Sequence, residues 1–160
     1  MAVDIFLKIA GVDGESKDDK HKKEIDILAW SWGLSNSGSA QTGGGAGAGK
    51  VNVQDVSFTK WVDAASPKLV LACCNGTHYD EATLVVRKAG GSPVEYIKLK
   101  LQEVLITSVS TGGSGSEDRL TENLTLNFAK FNLDYTPQDD KGAAGTAIPA
   151  GWDIAANKKV

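Results

Sequence analysis

The chain has 160 residues, 41% hydrophobic and 23% charged, with Lys+Arg 17 against Asp+Glu 20 for a formal charge of -3. This length suits one domain, the composition excludes a disordered chain, and the lack of a basic excess argues against a nucleic-acid binder. The longest apolar run, Leu69 to Cys74, is six residues, against about 20 for a spanning helix, so no membrane insertion is expected.

The first segment alternates, with Val3, Ile5, Leu7 and Ile9 on one face and Asp4, Phe6 and Lys8 on the other. Period two reads as a strand. Asp4 precedes any basic residue and Lys8 interrupts the apolar stretch, which is not a signal-peptide layout. A protein that starts in the cytoplasm is expected. Asp13 to Lys23 is polar and reads as a loop. Ile25, Ile27 and Ala29 then share one parity, and Trp30, Trp32 and Leu34 the other. Such a face switch needs a bulge or bend, as where sheets curl into barrels.

Ser35 to Gly49 holds fifteen residues without a bulky apolar group, a loop long enough to be functional or disordered. Val51, Val53, Val56 and Phe58 resume a strand with a second phase shift. Ser66-Pro67 predicts a helix start, with Ser66 as N-cap, and Asn75-Gly76 its stop. The helix between is apolar nearly all round and must be covered on more than one side. Glu81 to Lys88 and Val94 to Val109 read as strands joined by a tight turn at Ala89–Pro93. Asp118 to Tyr135 reads as one long strand with a third face switch. Pro137 to Pro149 reads as a loop, and Trp152 and Ile154 suggest a short final strand. The expected fold is mainly β: a compact barrel of two packed antiparallel sheets, one flanking helix at about 66–75 and an extended loop at about 35–49. Three strands that change face exceed what a lone barrel needs, which points to subunit contacts.

Chemistry is sparse. Gly44 to Lys50 fits G-x-x-x-x-G-K, yet Val51 stands where a magnesium-binding hydroxyl belongs, and a strand pattern follows where a helix should. His21 and His78 have no nucleophile elbow to serve and read as surface or loop-packing residues. Paired carboxylates at Asp18-Asp19, Glu117-Asp118 and Asp139-Asp140 lie in loops, where solvated charge is the default. Cys73 and Cys74 are adjacent, a poor arrangement for a disulfide or a zinc site. Neither catalysis nor a cofactor or metal is expected.

Several stretches resemble one family: Met1–Ser16, the His21-x-x-Glu24-Ile25-Asp26 step, Ala29–Gly38, Gly49–Asp63, Leu84–Gly91 and Val109–Lys130. They are similar to the Hcp (haemolysin-coregulated) proteins of bacterial type VI secretion systems. The resemblance covers about residues 1–136 of a single 1–160 domain, and the 137–160 tail matches least. It implies a six-membered ring that stacks into the inner tube of a contractile injection machine, inside a sheath and beneath a spike. It also implies a pore that holds small effector proteins, and export on firing without a signal peptide. With about twenty residues after the barrel, the extra C-terminal toxin domain that some members carry is not expected here.

Placed on this sequence, the resemblance makes Ser31, between Trp30 and Trp32, a pore residue able to touch cargo. Gly44, Gly45, Gly47 and Gly49 belong to the extended loop, expected to reach toward neighbouring subunits or the adjacent ring. Gly90, Gly91 and Lys158 become candidates for ring-to-ring contact. The rival expectation is a monomeric barrel that binds a small apolar ligand.

Overall fold

The computed structural model describes residues 3–38, 49–90 and 92–160. Strand β1 (Val3–Ile9) buries Leu7 and Ile9 and pairs on either side with β2 (Ile25–Ser31) and β6 (His78–Lys88). From β2 the antiparallel sheet continues to β5 (Val56–Trp61), β8 (Thr121–Asn127) and β7 (Glu95–Thr111). Strand β7 pairs with β6 on its other edge, so six strands close into a barrel. Closure removes the free edges that would otherwise template pairing with other chains.

The seventeen residues of β7 are more than the barrel uses. Its C-terminal half pairs with β8, and its N-terminal half pairs with β9 (Lys130–Tyr135). Beyond β9 lie β10 (Ile148–Asp153) and β11 (Lys158–Lys159), a flap of sheet carried outside the barrel. Short strands β3 (Leu34–Ser35) and β4 (Asn52–Val53) pair with each other where the extended loop leaves and returns.

The barrel axis is occupied by side chains. Leu7, Ile25, Leu84, Leu99, Leu101, Leu124 and Leu126 are fully buried, with Phe58 among them. A filled interior of this kind is a packed core. The rival barrel that binds a small ligand would need that space open.

At one end of the core sits a buried charge cluster. Lys60 and Glu122 are opposite each other on β5 and β8 and form an ion pair. Lys60 Nζ also donates to Asp63 Oδ1 at 3.0 Å and to the Trp61 carbonyl at 2.8 Å. The Ser66 hydroxyl donates to Glu122 at 2.6 Å. Each charge is thus hydrogen-bonded as well as paired, the condition under which burial of ions is tolerated.

That cluster corrects the expected cap. Helix α1 (Ser66–Asn75) takes Ala65 at the N-cap position, and Ser66 is its first helical residue. The Ser66 hydroxyl also accepts the Asp63 N–H at 3.0 Å, so it ties the helix entry to the cluster. Pro67 occupies the first turn, and Gly76 ends the helix with φ 71°, its N–H donating to the Ala72 carbonyl at 3.0 Å.

The face switches also have local causes. The β2–β5 register shifts between Ile27 and Ala29, so Ile25, Ile27 and Trp30 all pack on the core while Leu28 is left outside. The expected strand 118–135 is two strands, broken at Phe128-Ala129, and both of those phenylalanine-bearing ends, Phe128 and Phe131, stay buried. Residues Ile148 and Pro149, read as loop, open β10. The β2 bulge and the β8–β9 break thus account for two of the three switches and keep Trp30, Phe128 and Phe131 on the core, while Leu28 and Tyr135 remain exposed.

Candidate functional site

Register decides which side chains share a face. Trp30, Phe58, Leu124 and Val109 lie across from one another on β2, β5, β8 and β7 and belong to the core side. Their neighbours in sequence therefore point outward, since side chains alternate along a strand. One outward row reads Ser31, Ser57, Thr125, Ser108, and the next reads Ala29, Thr59, Asn123, Ser110. Both rows consist of small, uncharged residues, seven of the eight able to hydrogen-bond.

Much of that capacity is used between strands. The Thr59 hydroxyl donates to Asn123 Oδ1 at 2.8 Å, and the Ser108 and Thr125 hydroxyls lie 2.8 Å apart. Beside them, Asp55 accepts from the Thr107 hydroxyl at 2.7 Å and from Asn127 Nδ2 at 2.9 Å. A shallow cleft of about 360 Å³ runs over this face, lined by Ser31, Ser57, Thr59, Asn123 and Thr125. Chemically, it is a neutral wall of hydroxyls and one amide, with Ala29, Trp30, Phe58 and Leu124 also lining the cleft. It can exchange hydrogen bonds with a passing surface.

The opposite wall, on β1, β6, β9 and the N-terminal half of β7, is charged. Lys8, Thr83, Lys100 and Asn132 form one row, and Phe6, Val85, Lys98 and Asp134 the next. The segment 11–24 is clamped over it. His21 stacks on Phe6 with ring centres 4.3 Å apart, its Nε2 lies 2.8 Å from Glu95 Oε1, and its Nδ1 faces Glu24. Arg87 bonds Asp18 at 2.6 Å and Asp4 at 3.0 Å, and sits over the Phe6 ring. That guanidinium holds the Asp18 carboxyl down at about 2. Asp26, on β2, is pushed up by burial against a weaker lowering by the Ser16 hydroxyl. His21 is thus a loop-packing residue, as the sequence suggested, and His78 is exposed at the start of β6.

The predicted site residues do not converge. Ser31 is exposed at the end of β2, on the neutral wall. Gly49 lies against the Ser37 hydroxyl, where the two limbs of the extended loop approach each other. Gly90 is exposed in the β6–β7 turn, and Lys158 is exposed on β11 opposite Asp153. Gly44, Gly45, Gly47 and Gly91 fall outside the described residues. The wall's other members were missed. Their signal is the alternation Ser57-x-Thr59, Asn123-x-Thr125 and Ser108-x-Ser110, which gains meaning only once register aligns it with Ser31. Among the described residues, no three His, Cys, Asp or Glu side chains gather to hold a metal, and no helix is long and apolar enough to cross a membrane.

Comparison with known proteins places this architecture. Residues 6–135 match the family model described as type VI secretion system effector, Hcp. The chain is 62% identical over 159 residues to protein hcp1 of Pseudomonas aeruginosa, covering 98% of each. Among solved structures, it is similar to one described as a type six secretion system protein, at 35% identity and TM-score 0.94, covering 99% of this chain and all of that one. It is also similar to Hcp1 of Salmonella typhimurium, at 39% identity and TM-score 0.82, with full coverage of both. Barrel, flanking helix and full-length matches lead to one conclusion: the chain belongs to the Hcp family of type VI secretion proteins.

Proposed function

We propose that the protein is a tube subunit whose six copies close into a ring, with the neutral wall of Ser31, Ser57, Thr59, Asn123 and Thr125 turned to the pore. Rings stack into the inner tube, bounded by sheath and spike, and the pore carries small effector proteins out when the machine fires. The observation that supports this reading is the contrast between the two walls. A conduit wants a face that holds cargo by weak, exchangeable hydrogen bonds. Charged pairs released into a tight pore would bind or repel cargo strongly, since the field is focused there.

Gly90, Gly91 and Lys158, with the loop glycines Gly44, Gly45, Gly47 and Gly49, remain the candidates for contact between subunits and between rings. Each copy carries a charge of -3. Free rings therefore repel at low salt, and stacking awaits the rest of the machine.

The test is native mass by light scattering coupled to size exclusion. The reading requires a particle near 101 kDa, six times the 16.8 kDa chain. A particle of 16.8 kDa at all concentrations and salts would overturn it.

A further inference from the structure

One buried ring fastens segment 11–24 to the charged wall. His21 is stacked on Phe6, and both of its nitrogens meet carboxylates. Nε2 lies 2.8 Å from Glu95 Oε1 on β7, and Nδ1 faces Glu24 Oε2. A carboxylate accepts hydrogen bonds, so each contact needs an N–H from the ring. The neutral ring has one N–H and one lone pair and satisfies only one of the two, whereas the imidazolium satisfies both. Strain lies in the same place: Lys23, between His21 and Glu24, is held at φ 61°, which a residue with a side chain disfavours.

We infer that His21, Glu24 and Glu95 form a proton-operated latch, which holds segment 11–24 on the wall when the ring carries its second proton and loosens it as pH rises. The extra proton closes the latch whether it stays on the ring or is shared with a carboxylate. Closure takes up a proton, so its contribution is complete on the acid side and is lost as that proton leaves. The surrounding charges are mixed. Lys8 on β1, Arg87 on β6, Lys98 and Lys100 on β7 and Lys20 of the segment oppose a charged ring. Asp18 of the segment and Asp80 and Glu81 on β6 favour it. Arg87 is answered by Asp18 at 2.6 Å and Lys100 by Glu81 at 3.3 Å. The two carboxylates on the ring itself are the deciding contacts, because attraction falls with distance. What the latch controls is the cover over Phe6 and over a cleft of about 600 Å³ that Lys8, Lys98 and Lys100 help to line.

The experiment follows amide exchange of the intact protein by mass spectrometry from about pH 5 to about pH 8, the range in which a histidine ring changes charge. Rates are corrected for the intrinsic pH dependence of exchange. Protection of peptides from 11–24 should fall about tenfold, the weight of one charge-assisted hydrogen bond, while β8 stays constant. In Glu95→Gln, at a side chain 38% exposed, the amide donates to a bare ring nitrogen or accepts from a protonated one. Protection there should stay level at the wild-type acid value. Asp26→Asn should keep the wild-type fall, which separates the latch from the carboxyl that the Ser16 hydroxyl bonds. A level wild-type profile, or a fall shared with β8, would overturn the inference. So would an equal fall or low protection at every pH in Glu95→Gln, or loss of the fall in Asp26→Asn.

Discussion

Lys60 shows what burial does to a single charge. Its side chain is 0% exposed and that of Glu122 is 2% exposed, so each is shut off from water and has the other as its nearest partner. Lys60→Met leaves two carboxylates, Glu122 and Asp63, without their cation. The expected loss is about 3–5 kcal/mol, read as a lowered denaturant midpoint with an unchanged slope. Two aspartates give opposite pH responses. Asp18 is held at about 2 by Arg87 against an ordinary 3.8, so its contribution is complete above pH 3.8 and is lost as pH falls through about 2. Asp18→Asn should flatten that acid limb of the stability curve. Asp26 is raised by burial, so the folded state favours its protonated form, and that advantage disappears as pH rises through the folded value. Asp26→Asn should therefore be more stable than wild type at neutral pH and equal to it in acid. Equal pH profiles for the two variants would contradict both assignments.

At the scale of elements, short contacts fix where segments lie. Gly14 is buried, and a Cβ there would stand 2.5 Å from the Glu24 carbonyl oxygen and 2.8 Å from Ile25 Cα. Both are backbone atoms that cannot swing aside. Gly14→Ala should cost about 1–3 kcal/mol and expose segment 11–24 first, read as faster amide exchange at Ser16 and Lys23, whose N–H groups bond within it. Gly76→Ala meets a milder penalty, about 1–2 kcal/mol for a side chain at φ 71°, and it should appear as fraying of α1.

Some of these elements were legible in the residues themselves. The helix bounds follow from Pro67 and Gly76, and β1 follows from its alternation. The cap was misread because Ser66 answers to Glu122, 56 residues away, and local sequence does not carry that partner. The strand over 118–135 was misread for a related reason. Its apolar parity changes at Phe128-Ala129, and only pairing with β7 shows that the chain breaks there while it follows one neighbour throughout.

For the whole molecule, the two walls predict where a substitution acts. Thr59→Lys puts a charge on the neutral wall without touching the core. Native mass and thermal midpoint should stay as in wild type while retention of an effector, read by co-purification, falls. Lys98→Glu on the other wall should leave that retention alone. If the two variants affect cargo equally, the neutral wall is not the cargo surface.

The sequence by itself determined the class of the fold, most of its elements and its family, because alternation, turn residues and the proline and glycine that bound the helix are local and the matching motifs are contiguous. Tertiary structure decided the rest. The closed barrel, the flap beyond β9, the Lys60–Glu122 pair and the alignment of Ser31 with Ser57, Thr125 and Ser108 all depend on register between strands far apart in the chain. Shifting a strand by one residue turns every side chain to the other face, so which residues share a wall is fixed by pairing, and no single segment contains it.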